Sequence, residues 1–107
     1  MGTSIADVKD TMAIFKGRIK SEMSKMTGDL EKDRVLWRSL ARKLNCAETA
    51  WAEMKNHYAQ ILTMVGEEEA EEGRVAHEEL QTQLFTLLGR VQDAIDKAKD
   101  EEDALAE

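Results

Sequence analysis

The stretch Met23–Val65, MSKMTGDLEKDRVLWRSLARKLNCAETAWAEMKNHYAQILTMV, decides how this chain folds. Met23, Met26, Leu30, Trp37, Leu40, Leu44, Ala47, Trp51, Met54, Tyr58, Ile61 and Val65 recur at alternating steps of three and four. Asp33 is the one charged residue in that line. Such alternation marks a helix whose narrow apolar seam faces other helices. Upstream, Ile5, Val8, Met12, Phe15 and Ile19 keep the same rhythm. Two successive steps of four near Ile19–Met23 form a stutter, which locally unwinds a left-handed supercoil. Ser4 suits an N-cap, and Asp7 suits the first turn. The pattern predicts one helix from Ser4 to Val65, roughly 90 Å long. A turn at Thr27-Gly28-Asp29, with Asp29 as the next N-cap, is the alternative. The seam keeps phase across Gly28, which favours continuity.

A helix of that length cannot bury its seam alone, so the sequence predicts assembly. With Met23, Leu30, Trp37, Leu44, Trp51 and Tyr58 at a, the d positions include Met26, Leu40, Met54 and Ile61. These ten residues are the expected oligomer interface. In a parallel, in-register dimer Asp29 at g would face Arg34 at e of the second copy, and Lys43 would face Glu48. Each exposed pair is worth about 0.5 kcal/mol, so the match speaks for register rather than strength. Asp33 at d would cost stability in a dry core. Leu36, Ala41, Ala50 and Leu62 widen the apolar face, and Trp37 and Trp51 are bulky for a two-stranded layer.

Beyond Val65 the pattern stops. Gly66-Glu67-Glu68-Glu69-Ala70-Glu71-Glu72-Gly73 reads as a break. A second amphipathic helix is expected from about Arg74 to Ala106. Leu80, Leu84, Leu87, Val91, Ala94, Ala98 and Leu105 form its stripe, widened by Phe85, Leu88 and Ile95. That width asks for more than one neighbour. The helix either folds back on the Asp33–Val65 portion or continues the rod in a new phase. The expected fold is all-α, with a coiled-coil helix over residues 1–65, a break over 66–73 and a second helix over 74–107.

Composition agrees with long helices. The 107 residues include no proline, and charged residues make up 35% of the chain, which disfavours a β-rich fold. No apolar run approaches a membrane span or a signal-peptide core. Cys46 is the one cysteine and excludes an intramolecular disulfide. An intracellular protein of the cytoplasm, cytoskeleton or nucleus, with no membrane partner, is the simplest reading.

No constellation for catalysis emerges. His57 and His77 are each preceded three residues earlier by a non-acidic residue, Met54 and Arg74, so the Glu-x-x-His signature of di-iron bundles is missing. The acidic run lacks the ligand alternation and central glycine of an EF-hand loop. The glycines fit neither a P-loop nor a dinucleotide fingerprint. Cys46 falls on the outward side with no base beside it in the pattern. No enzyme activity, metal or cofactor is expected.

Charge is distributed unevenly. Residues 1–60 hold eleven Lys/Arg against eight Asp/Glu, and residues 61–107 hold four against fourteen. Lys25, Lys32, Arg38 and Arg42 fall at c, b and f positions, facing away from the seam. Lys16, Arg18, Lys20 and Lys43 add to the same basic segment. These eight residues are the expected surface for an acidic polymer. No aromatic stands among them to stack on bases, which disfavours nucleic acid. The seam from Ile5 to Val65, with outward Lys25, Lys32, Arg38 and Arg42, resembles coiled-coil segments of cytoskeletal and chromosome-segregation proteins. The nearest resemblance is to the microtubule-binding coiled coil of kinetoplastid kinetochores. That resemblance implies a dimeric rod touching tubulin through its basic half. The expected function is a non-enzymatic oligomerisation coiled coil binding an acidic polymer, microtubules first. The alternative is a purely structural scaffold segment with helical protein partners.

Overall fold

The computed structural model describes residues 4–106, with the side chain of Ala106 left aside. All regular structure among these residues is helical. The helices are α1 (Ile5–Leu30), α2 (Trp37–Leu62) and α3 (Glu67–Ala106). They form an elongated three-helix bundle of 60 × 26 × 19 Å. α1 and α2 pack as an antiparallel hairpin, and α3 runs back along α2 and beside α1. Ion pairs mark the two ends. Lys9 of α1 meets Glu69 of α3 at one end, and Arg38 of α2 meets Glu102 of α3 at the other.

α1 begins as its sequence dictates. The Ser4 hydroxyl oxygen accepts from the Asp7 amide at 3.2 Å, and Asp7 sits in the first turn. The helix passes through the stutter without a break. It then ends at Leu30, which corrects the expected continuous helix from Ser4 to Val65. The turn is neither at Thr27-Gly28-Asp29 nor made by a glycine. It spans Glu31–Leu36, and Gly28 remains helical. Four charged residues in succession, Glu31-Lys32-Asp33-Arg34, occupy it and are all exposed. A continuous helix would hold Asp33 on the apolar seam. Folding at this point places that carboxylate in solvent and lets Met23, Met26 and Leu30 pack against the same chain's α2 and α3. The Glu31 and Lys32 amides close the end of α1 by donating to the Gly28 and Asp29 carbonyls at 3.2 and 3.3 Å.

The second break is shorter than the expected 66–73 segment. The chain turns over 63–66, where the Met64 amide donates to the Ile61 carbonyl at 2.9 Å. α3 starts at Glu67, so the acidic run and Gly73 lie inside it. Glu67, Glu68 and Glu69 fill its first turn, where negative charge complements the helix dipole. Arg74 then binds Glu71 and Glu78 along the helix surface. The acidic residues that read as a break therefore initiate the helix.

One core joins the three helices. Ile19 and Met26 from α1, Leu40, Ala47, Ala50, Trp51 and Met54 from α2, and Leu80, Leu84, Leu87, Val91 and Ile95 from α3 are buried together. Each large apolar side chain removed from water in this way contributes about 1.5–3 kcal/mol. The wide stripe of α3 is explained, since it faces two helices at once. The ten seam residues expected at an oligomer interface lie within one chain in this fold. Met26, Leu40, Trp51, Met54 and Ile61 are buried, and Met23, Leu30, Trp37 and Leu44 pack against the core. Tyr58 is half-buried beside α3.

Candidate functional site

The eight bases expected to meet a polymer separate into paired and unpaired sets. Lys32 and Lys43 both bind Asp29, at the end of α1, and Lys43 is itself half-buried. Lys25 binds Glu22 at 3.5 Å. Arg38 donates to Glu102 at 3.2 Å while its guanidinium lies 4.4 Å from the Trp37 ring centroid. Lys16 is half-buried and lines a cavity at the opposite end of the bundle. Arg18, Lys20 and Arg42 are exposed and make no ion pair among the described residues. Arg18 lies 5.4 Å from the Phe15 ring centroid, a cation–π contact that leaves its charge open to solvent.

Phe15, Arg18 and Glu22 of α1 and Asn45, Cys46, Thr49 and Ala50 of α2 line a shallow groove of about 530 Å³. α3 contributes nothing to it. Arg42 lies one helical turn before Asn45 and Cys46, and Lys25 one turn after Glu22, so both border the same side of the hairpin. Arg18 lines this hairpin groove, and Lys25 and Arg42 border it. Helix α3 carries thirteen Asp/Glu against four Lys/Arg.

At the end where α1 starts and α2 stops, a cavity of about 420 Å³ opens between all three helices. Met12, Met54, Ile61, Ala76 and Leu80 make it apolar, and the Lys9–Glu69 pair and Glu72 stand around it. One wall is an aromatic stack that sequence spacing did not disclose. The His77 ring lies 4.0 Å from the Tyr58 centroid at 7° and 4.8 Å from the Trp51 centroid at 21°. Phe85 meets the Trp51 ring edge-on at 5.7 Å. Burial first, and then the Lys55 charge, hold the His77 imidazole below its ordinary pKa, against the opposing pull of Glu78. Both neighbours are apolar or aromatic seam residues, so the stack is readable only once α3 is known to lie antiparallel on α2.

At the turn end, the Trp37 indole donates to the Glu102 carboxylate at 2.6 Å, alongside Arg38. Trp37 first, and then Arg38, hold the Glu102 carboxyl below the usual carboxylate range. Lys99 approaches the other part of this cluster, 5.1 Å from the Trp37 ring centroid.

Cys46 is exposed in the α1–α2 groove, with no acid–base partner bonded to it. Among the described residues no group of three or more His, Cys, Asp or Glu side chains converges to hold a metal ion. Among the described residues no helix is long and apolar enough to cross a membrane. Comparison with protein-family models, curated proteins and solved structures finds no match.

Proposed function

We propose that this protein is a non-enzymatic helical binding module whose α1–α2 hairpin meets an acidic polymer, microtubules first, through Arg18, Lys20 and Arg42. One observation carries the reading. Arg18 and Arg42 stand exposed and unpaired among the described residues, bordering a groove built from the hairpin alone. The hairpin holds an excess of positive charge, while α3 holds a large negative excess. An acidic surface is attracted by the first and repelled by the second, which orients the bundle as it approaches. Binding of this kind weakens with added salt.

Lys32, Arg38 and Lys43 act in this reading as internal struts, because each already holds a carboxylate of the same chain. Charge reversal of the triple variant Arg18→Glu, Lys20→Glu and Arg42→Glu abolishes co-sedimentation with microtubules at low salt. Unchanged pelleting of a variant that retains wild-type helicity sinks the reading.

A second reading is a scaffold segment that recruits helical partners and has no polymer contact. It is favoured by exposed apolar side chains on the bundle surface, notably Ile14, Val75 and Phe85. The two separate in the same assay, since a scaffold segment does not pellet with microtubules at any salt concentration.

A further inference from the structure

The turn between α1 and α2 is not enforced by its backbone. It contains neither glycine nor proline, and no described residue has a positive φ. The Glu31 cap residue still has helical angles, φ −85° and ψ −9°. The N-cap of α2, Leu36, supplies no side-chain cap and is 62% exposed, and the first turn of α2 holds no acid. α1 ends with no cation in its last turn. Meanwhile the seam crosses the turn in phase, since Leu30 and Trp37 are seven residues apart, as are Met26, Asp33 and Leu40. Extending the helix through 31–36 would supply intrahelical partners to the amides at the start of α2 and the carbonyls at the end of α1.

From this we infer that the chain exchanges α1 with a second copy of itself. In the exchanged form residues 5–62 make one helix, and α1 of each copy packs in the place that the other copy's α1 occupies in the monomer. The α1–α2 contacts of the core are antiparallel in the monomer, so the two long helices run antiparallel in the dimer. The occupant of the vacated surface is fixed by the structure, because only α1 carries Ile19 and Met26 in the spacing that fills it. All core contacts are kept, and the two forms differ in the conformation of residues 31–36 and in mass action. Asp33 is the local opponent of the straight form, since it would sit on the seam there. The inference is independent of polymer binding, and its test uses no polymer.

The test is sedimentation equilibrium of the full chain over a concentration series, with thiol cross-linking of a Glu22→Cys variant to the native Cys46. Glu22 and Cys46 line the same α1–α2 groove. The wild-type chain forms a growing fraction of dimer as concentration rises, and the cross-links in that dimer join two chains. Asp33→Leu raises the dimerisation constant by about tenfold, because it completes the seam. Arg34→Pro removes the dimer, because proline in the continuous helix loses a hydrogen bond and clashes with the preceding turn. The Arg34 amide makes no backbone hydrogen bond in the turn, so proline removes none from the monomer, whose retained helicity is checked alongside. Three results overturn the inference: a wild-type chain that stays monomeric throughout, a dimer whose cross-links remain within each chain, or a dimer unaffected by Arg34→Pro.

Discussion

Asp29, in the last turn of α1, binds Lys43 of α2 across the hairpin, and both side chains are half-buried. Lys32 of the turn binds the second carboxylate oxygen at 3.0 Å. The two ammonium groups, Lys43 foremost, hold the Asp29 carboxyl below its ordinary pKa, against the opposing effect of burial. A carboxylate with a depressed folded pKa stabilises the fold above its unfolded pKa and loses that contribution as pH falls through the folded value. Asp29→Asn therefore costs about 1 kcal/mol at neutral pH. The difference between variant and wild type narrows as pH falls below about 4 and closes once pH has passed the lower folded value. Urea unfolding at pH 7 and at pH 3 checks both statements.

Glu102 ties the far end of α3 to the start of α2 through Trp37 and Arg38. Its removal acts locally, because the residues that follow bury little apolar surface. Glu102→Ala is expected to raise amide hydrogen exchange over residues 97–106 and around Trp37 while leaving exchange at Leu84–Val91 unchanged. Equal acceleration at both places would refute this local role.

His77 gives the same pH sign as Asp29 in a higher pH window, here because the fold favours the neutral form. Its folded pKa is depressed by burial and by Lys55, so the folded chain prefers neutral imidazole. Stability is full above the unfolded pKa of about 6.5 and declines as pH falls toward the folded value. Lys9 and Lys16 also face the cavity beside it, and Glu69 and Glu72 oppose them. Thermal unfolding between pH 7.5 and 5.5 shows the decline in the wild type. His77→Phe keeps the stack on Tyr58 and Trp51 and flattens the profile. An equally steep profile in that variant would assign the titration elsewhere.

Gly17 and Gly89 sit inside α1 and α3, and a Cβ added at either meets nothing within 4 Å. Each Gly→Ala change stabilises by about 0.5–1 kcal/mol, because alanine restricts the unfolded chain and favours helix. Leu84→Ala has the reverse effect. Leu84 is fully buried among all three helices, and its truncation costs about 2–5 kcal/mol. Denaturation midpoints of the three variants give both signs.

Much of the helical architecture was legible in residue spacing. The Ser4 cap, the apolar line of α2 and the wide stripe of α3 follow directly from helical periodicity. The α1–α2 turn was not, because it contains no breaker residue and the seam remains in phase across it. Its visible trace was Asp33, the only charged seam residue, inside a run of four charges. The start of α3 was misplaced for a related reason, since glutamates flanked by glycines look like a break and also suit a helix N-terminus. The candidate surface was only partly readable. Arg38 finds its carboxylate sixty-four residues away, at Glu102, and no local pattern announces that pairing.

The hairpin is tested most directly by one distance. Spin labels at Asp10→Cys and Gln60→Cys, both exposed, in a Cys46→Ser background and a dilute sample, report whether α1 folds back on α2. The bundle is 26 × 19 Å in cross-section, and Met12 and Ile61 line one cavity, so the labels lie within about 30 Å of each other. A continuous helix would separate them by roughly 75 Å at 1.5 Å per residue. A dominant short distance is the predicted result, and a dominant distance near the longer value contradicts the fold.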